Sequence, residues 1–109
     1  MATFFRNSLV KNVGVLPVTA VTTGANARAT VIGLSLANLT ENAVTASITV
    51  SDDTSISAYY IKDVLVPPNS SLRVINGGEK LMLSTSNTMQ ISSNQDDALD
   101  AIVSYVEII

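Results

Sequence analysis

The sequence contains no cysteine, no histidine and no tryptophan. Without cysteine, the chain can form neither disulfide bonds nor thiolate metal sites. Without histidine, it lacks the most common general base, the usual metal ligand and the side chain that titrates near neutral pH. A serine or threonine nucleophile would have no imidazole to activate it. These absences argue against an enzyme, and we expect neither catalytic residues nor a cofactor.

Charge is also scarce, because charged residues make up 14% of the 109-residue chain, against about a quarter in ordinary soluble domains. The net charge is −3 and the basic side chains are scattered, whereas binding to nucleic acid needs a clustered positive field. We therefore expect no direct contact with nucleic acid. A surface of hydroxyls and amides loses less hydration energy than a charged one when a protein covers it. The composition thus indicates assembly with other proteins.

Long apolar runs are missing as well. No segment approaches the roughly 18 apolar residues that a membrane helix needs. The N-terminal sequence MATFFRNSLV has an apolar pair followed by polar residues, unlike the continuous apolar core of a signal peptide. We expect a soluble intracellular product without a membrane partner.

The chain is instead rich in short segments typical of β-strands. Residues 44–51 alternate apolar side chains with hydroxyls without a fault, which predicts a strand with one wet face. Residues 28–38 alternate large apolar side chains with small ones. Here Ile32, Leu34 and Leu36 are expected to fill a core, while the small residues leave the other face open to close approach by another molecule.

The central stretch, residues 59–83, is divided by two turn signals. Pro67-Pro68-Asn69 interrupts the first strand, because proline cannot donate a ladder hydrogen bond. Asn76-Gly77-Gly78 is typical of a tight hairpin. The stretch therefore predicts a strand, a corner, a second strand, a hairpin and a third strand.

The C-terminal residues 99–109 are compatible with two structures. Their apolar spacing fits a helix, which Asp96 or Asp97 would cap. However, the segment is rich in β-branched residues and contains an aromatic one, and every other clear element is a strand. We predict a strand that is buried on both faces.

Together these segments predict an all-β fold in a single domain. About eight short strands with regularly spaced turn signals are typical of a β-sandwich or barrel of the Greek-key or jelly-roll type. We assign residues 14–109 to this β-sandwich domain and residues 1–13 to an N-terminal arm or edge strand.

Four aromatic residues are candidates for an interface. Phe4 and Phe5 either pack an edge strand on the core or lie on an arm that inserts into a neighbouring subunit. Tyr59 and Tyr60 point to opposite faces of one strand, so that one supports the core and the other is available as an interface anchor.

Carboxylates and sequons carry no strong signal of chemistry. We expect the acidic residues of the polar loops to be solvated turn and cap residues. The alternative is a calcium site at Asp96, Asp97 and Asp100, which lacks the regular spacing of such sites, and we predict no metal. The sequons at Asn38 and Asn69 are interpreted as ordinary turns.

Several of these segments, taken in order, resemble small virion structural proteins of tailed bacteriophages, including phages of marine bacteria and cyanobacteria. The similarity covers most of the chain from about Val13 onward, and Asn69 stands where the pattern favours glycine. The segments that carry it are residues 29–38, 40–49, 60–64, 66–72, 74–80 and 99–107.

The resemblance implies a non-enzymatic protein that is made in the host cytoplasm and present in many copies on the virion. Its partners would be phage capsid or tail proteins and further copies of itself. The first expectation is a capsid decoration or cement protein that stabilises the shell, and the alternative is a neck, tail or baseplate adaptor. A module that binds host glycans is a second alternative. It is disfavoured because sugar recognition relies on aromatic platforms, and the chain has five aromatic residues.

Overall fold

The structure is a computed structural model that describes residues 2–76 and 78–109. Over these residues the chain forms nine β-strands. The strands are β1 (Thr3–Val13), β2 (Val18–Thr22), β3 (Arg28–Asn38), β4 (Val44–Ser51), β5 (Ser57–Val66), β6 (Ser71–Ile75), β7 (Leu81–Leu83), β8 (Thr88–Ser93) and β9 (Leu99–Ile108).

The strands form two antiparallel sheets packed as a sandwich. The five-stranded sheet has the order β1-β9-β3-β6, with β7 also paired to β3, and the four-stranded sheet has the order β2-β8-β4-β5. The chain crosses repeatedly between the sheets, which gives a jelly-roll-like topology. The predicted all-β sandwich is confirmed.

The hydrophobic core lies between the two sheets. In β4, the apolar residues Val44, Ala46 and Ile48 are buried, while the alternating hydroxyl residues are only half-buried. The strand with one wet face that the alternation predicts is therefore confirmed.

One core residue of β3 was predicted wrongly. Leu34 and Leu36 are buried as expected, but Ile32 is 37% exposed and Val31 is buried in its place. The pairing of β3 with β9 shifts between Val31 and Gly33. Because a bulge adds one residue to one strand, the alternation changes phase there and Ile32 leaves the core.

The predicted hairpin at Asn76-Gly77-Gly78 is wrong. Gly77 lies outside the described residues, but the strands on either side of it, β6 and β7, both pair antiparallel with β3. They therefore run in the same direction along the edge of β3 that β9 does not occupy. Between the two strands, the Glu79 N–H donates to the Asn76 carbonyl oxygen at 2.9 Å.

The corner at Pro67-Pro68-Asn69 carries the chain from β5 in one sheet to β6 in the other. Asn69 has a φ of 51°, in the left-handed region that glycine adopts freely and asparagine tolerates better than most residues. This backbone conformation explains why asparagine can stand where the phage pattern favours glycine.

The C-terminal segment forms β9, a central strand between β1 and β3. The predicted strand is confirmed, whereas its burial on both faces is wrong. Ala101 and Val103 belong to the core, but Ile102, which points the other way, is 50% exposed.

Candidate functional site

The most distinctive surface is the side of the five-stranded sheet that faces away from the core. Side chains alternate between the two sides of a strand, so the buried Val10 and the exposed Leu9 of β1 lie on opposite sides. The exposed side carries large apolar residues on four neighbouring strands. We call it the outer face and define it by Phe5, Leu9, Ile32, Met82 and Ile102.

Strand pairing places these side chains in rows. Leu9 is paired with Ile102, and Ile102 with Ser35 of β3. In the next row, Asn7 is paired with Ser104, and Ser104 with Gly33. Directly paired residues share one face of a sheet. Large apolar side chains therefore border a floor of small residues.

The floor creates three shallow grooves that are open to solvent. The largest has a volume of about 630 Å³, and the other two measure about 180 Å³ and 230 Å³. All three lie on the outer face. The walls and floors of the grooves include Phe5, Asn7, Leu9, Ile32, Gly33, Ser35, Ile102 and Ser104.

Gly33 keeps the floor low at the centre of the face. A Cβ atom at this position would lie 3.7 Å from the Ser104 Cβ, an ordinary van der Waals distance. An alanine would therefore fit, but it would occupy part of the space above Ser104. Glycine thus allows a closer approach to the sheet than any other residue would.

Charge is confined to the margin of the outer face. The Lys11 Nζ lies 3.9 Å from the Asp100 Oδ2 beside the Leu9 groove, and Arg73 borders the smallest groove. An apolar centre with a polar margin is the usual arrangement of a protein–protein interface. The chemistry that this face offers is burial of apolar surface against a partner.

The two phenylalanines lie on opposite sides of β1, an edge strand of the five-stranded sheet. Phe5 is 82% exposed on the outer face, and Phe4 is also exposed. The Arg6 guanidinium lies 4.8 Å from the Phe4 ring centroid, and its Nε donates to the Glu107 Oε1 at 2.6 Å. Packing of these rings on the core was therefore wrong, while their part in an interface stays a prediction.

The two tyrosines separate as expected. Tyr59 is exposed on the edge strand of the four-stranded sheet, with the Lys62 Nζ 5.4 Å from its ring centroid. Tyr60 packs against the core. Phe5 and Tyr59 lie on different sheets, so the structure does not bring the four predicted interface residues together.

Two of the three carboxylates of the candidate calcium site accept hydrogen bonds from backbone N–H groups. Asp96 Oδ1 accepts from the Val15 N–H at 3.0 Å, and Asp100 Oδ1 accepts from the Asn12 N–H at 3.0 Å. Within residues 2–76 and 78–109, no group of three acidic side chains is arranged to hold a metal ion. Asp96 instead joins the segment before β9 to the backbone that follows β1, and Asp100 joins the start of β9 to the backbone at the end of β1.

Asp52 likewise accepts hydrogen bonds from the backbone, in the loop before β5. Its Oδ1 accepts from the Thr54 hydroxyl at 2.8 Å, from the Ile56 N–H at 3.0 Å and from the Thr54 N–H at 2.9 Å. These hydrogen bonds favour the charged carboxylate. With the Thr54 hydroxyl as the largest cause, they hold the pKa of Asp52 below its ordinary value of 3.8.

Sequence reasoning missed four of the residues that define the outer face, namely Leu9, Ile32, Met82 and Ile102. The even spacing of Phe5 and Leu9 was a usable signal, because residues four apart share one side of a strand. Ile102 was assigned to a strand buried on both faces, which concealed it.

In the described part of the chain, no helix is long and apolar enough to cross a membrane.

No protein-family model and no curated protein sequence matches the chain. Among solved structures, it is similar to a subunit of Bacillus endospore appendages, which form a novel family of disulfide-linked pili, with a TM-score of 0.56 and 8% sequence identity. This match covers 96% of this chain and 86% of the appendage chain. At this identity the likeness is one of fold, and it supports the jelly-roll assignment.

A second solved structure is that of the VP2 subviral particle of infectious bursal disease virus. The TM-score is 0.31 at 6% identity, and the match covers 97% of this chain but only 40% of the viral chain. The match to the appendage subunit alone identifies the chain as a β-sandwich module of similar fold.

Proposed function

We propose that the chain is a non-enzymatic structural subunit of a bacteriophage particle, located on the virion in many copies. The observation that carries the proposal is the outer face, where large exposed side chains such as Phe5 and Ile102 surround a floor of small residues. An exposed apolar patch with a polar margin is typical of a surface that another protein covers.

The fold likeness to the Bacillus appendage subunit supports assembly from repeated copies, because that neighbour forms pili. Its disulfide linkage cannot be shared, since this chain has no cysteine. We therefore take the assembly of residues 1–109 to rest on non-covalent contacts. Burial of apolar surface supplies the dominant favourable energy of such contacts.

The role that we favour is capsid decoration, in which the outer face covers the joints between major capsid proteins. The resemblance of residues 60–64, 66–72 and 74–80 to phage virion structural proteins supports a place on the particle. On a symmetric particle the same weak contact occurs many times. A bound copy that also contacts neighbouring copies is held more tightly than by its contact with the capsid alone. A neck, tail or baseplate adaptor would use the same surface in far fewer copies.

A matched pair of substitutions tests the proposal. Ile102→Lys places a charge at the centre of the outer face, and Leu65→Lys changes a similarly exposed apolar residue, 58% exposed, on the four-stranded sheet. We expect Ile102→Lys to lower occupancy on purified particles at least about tenfold, equivalent to about 1.4 kcal/mol, and Leu65→Lys to leave it unchanged.

Occupancy is measured by quantitative mass spectrometry of particles assembled with each variant, after circular dichroism has shown that both variants fold. Equal occupancy for the two variants would contradict a role for the outer face. The stoichiometry of the parent chain separates the two locations: hundreds of copies indicate the shell, whereas a small multiple of three or six indicates an adaptor.

A further inference from the structure

Strand β1 has one edge available for pairing. On its inner edge, β1 pairs with β9 without a break from Thr3 to Val10. Within residues 2–76 and 78–109, no strand is hydrogen-bonded to its other edge. Unpaired N–H and C=O groups along such an edge are a template for another strand.

The other edges of the sandwich carry features that block pairing. Strand β2 follows Pro17, and its register shifts between Thr19 and Val21. Strand β5 has two register shifts, and its Asp63 has a φ of 52°. Strands β6 and β7 have five and three residues. Proline, bulges and shortness are recognised means of protecting an edge.

From Thr3 to Val10, strand β1 lacks these protective features, because its register shift lies further along, between Val10 and Val13. It is eleven residues long and contains no proline. From Thr3 to Val10 its one charged residue is Arg6, which forms an ion pair with Glu107 of its own sheet. The edge also presents two exposed apolar residues on the same side, Phe5 and Leu9. A long, regular edge of this kind favours pairing with another strand.

We propose that β1 binds β1 of a second copy of the chain, antiparallel, around a two-fold axis beside Asn7. This inference rests on the proposed function in so far as it names one contact through which the structural subunit assembles. The partner is an identical chain because one register of β1 on itself pairs its exposed apolar residues and places no two charged residues opposite each other.

The register follows from the side chains. A two-fold axis perpendicular to the sheet places outer-face residues of one copy opposite outer-face residues of the other. Such an axis passes beside one residue of β1, and that residue lies opposite the same residue of the partner. With the axis at Asn7, Phe5 lies opposite the partner's Leu9, and Leu9 opposite the partner's Phe5. Two exposed apolar pairs are then covered in a single step, and cross-strand pairs of this type stabilise sheets.

The neighbouring registers are less favourable. An axis beside Arg6 would place this guanidinium directly opposite the partner's Arg6, and like charges in that position are destabilising. An axis beside Ser8 would place Phe5 opposite the partner's Lys11 and Leu9 opposite the partner's Asn7. Neither apolar side chain would then gain an apolar partner.

The resulting dimer contains one continuous sheet that spans both copies, with the two outer faces on the same side. The doubled apolar surface would present a larger area to a capsid or tail protein. An edge contact over about nine residues falls below the roughly 1,200 Å² of a standard stable interface. We therefore expect a weak dimer that forms at high local concentration, as on a particle.

The absence of cysteine allows a direct test by disulfide trapping. Asn7→Cys would face the partner's Asn7→Cys across the axis, where Cα atoms of directly opposed residues lie about 4.5–5.5 Å apart, within the range for a disulfide. Leu9→Cys is the register control, because two such cysteines would be offset by four residues, about 13 Å. Ser71→Cys, exposed on edge strand β6 of the same sheet, is the edge control.

Each variant is oxidised at high protein concentration, and the disulfide-linked dimer is quantified by non-reducing electrophoresis. Sedimentation of the cysteine-free parent runs in parallel. We expect Asn7→Cys to form the dimer at least about tenfold faster than either control, on the distance criterion for a disulfide. We also expect Phe5→Lys in the Asn7→Cys background to abolish this advantage.

Equal rates for Asn7→Cys and Ser71→Cys would overturn the β1 contact. If the parent nevertheless self-associates, or occupies particles through the outer face, the proposed function stands and another edge or face makes the contact. Faster trapping of Leu9→Cys than of Asn7→Cys would overturn the register and with it the two-fold axis at Asn7.

Discussion

The side chain of Asn38 joins the two sheets through Val66. Asn38 ends β3 in the five-stranded sheet, and its Nδ2 donates to the carbonyl oxygen of Val66, the last residue of β5 in the four-stranded sheet, at 3.1 Å. The same amide donates to the Asn42 and Pro67 carbonyls, at 2.9 Å and 3.1 Å. Its Oδ1 accepts from the Thr40 N–H at 2.9 Å. One buried side chain therefore fixes two loops.

We predict that Asn38→Ala lowers the free energy of unfolding by about 3 kcal/mol, because each buried polar group left without a partner costs about 1–3 kcal/mol. Asn42→Ala is the matched control, since Asn42 contributes only backbone atoms to this network. It should change stability by less than about 0.5 kcal/mol. Chemical denaturation measures both, and similar losses would show that the amide network is not what holds the corner.

Gly14 is predicted to be intolerant of a side chain. A Cβ atom there would lie 2.7 Å from the Asp96 Oδ1 and 3.3 Å from the Asp96 Cα. The Asp96 carboxylate would have to move away and would lose its hydrogen bond from the Val15 N–H. Gly14→Ala should cost about 1–3 kcal/mol. Gly24→Ala has no atom within 4 Å of the new Cβ and should be neutral or stabilising by about 0.4–1 kcal/mol. Thermal unfolding of the two variants compares them, and equal melting temperatures would contradict the prediction.

Acid should remove the contribution of Asp52 to stability. Because the folded-state pKa of Asp52 is lowered, its contribution is fully present above the unfolded-state pKa and is lost as pH falls through the lower folded-state value. The expected window is therefore below about pH 3.9. Thr54→Val removes the largest cause of the shift and should raise the pKa of Asp52. An NMR titration of the Asp52 carboxyl in both proteins measures this, and an unchanged pKa in the variant would contradict the assignment.

The hydroxyl of Tyr60 is predicted to cost stability. In the part of the chain that the structure describes, this oxygen is buried and has no hydrogen-bond partner, while the ring packs against the core. Tyr60→Phe keeps the ring and removes the unsatisfied group, so we expect a gain of about 1 kcal/mol. Tyr59→Phe, at an exposed position on the same strand, should have no effect. A loss of stability in Tyr60→Phe, measured by denaturation, would show that the hydroxyl is bonded in solution.

The local pattern of the sequence was sufficient to predict strand β4 and the corner at Pro67-Pro68-Asn69. Strict alternation with a hydroxyl on every second residue leaves one arrangement of β4 on a core. Two prolines end a strand wherever its partners are. The turn at Asn38 was also recognised, as the Thr40 N–H donates to the Asn38 Oδ1.

Features set by distant partners could not be predicted. The exposure of Ile32 depends on a bulge defined by β9, which lies about seventy residues further along the chain. Asn76-Gly77-Gly78 has the composition of a hairpin, but β3 provides the partner for both flanking strands. Which side of β1 faces the core likewise depends on its pairing with β9. Pairing between distant strands is a property of the whole sheet, and a local pattern does not determine it.

The most direct test of the central claim is a cryo-electron microscopy map of intact particles that carry the chain. The account predicts many copies in which the outer face around Ile102 is covered by a neighbouring protein and the four-stranded sheet faces solvent. A map in which the outer face is exposed and the four-stranded sheet makes the contacts would contradict it, as would particles from which the chain is absent.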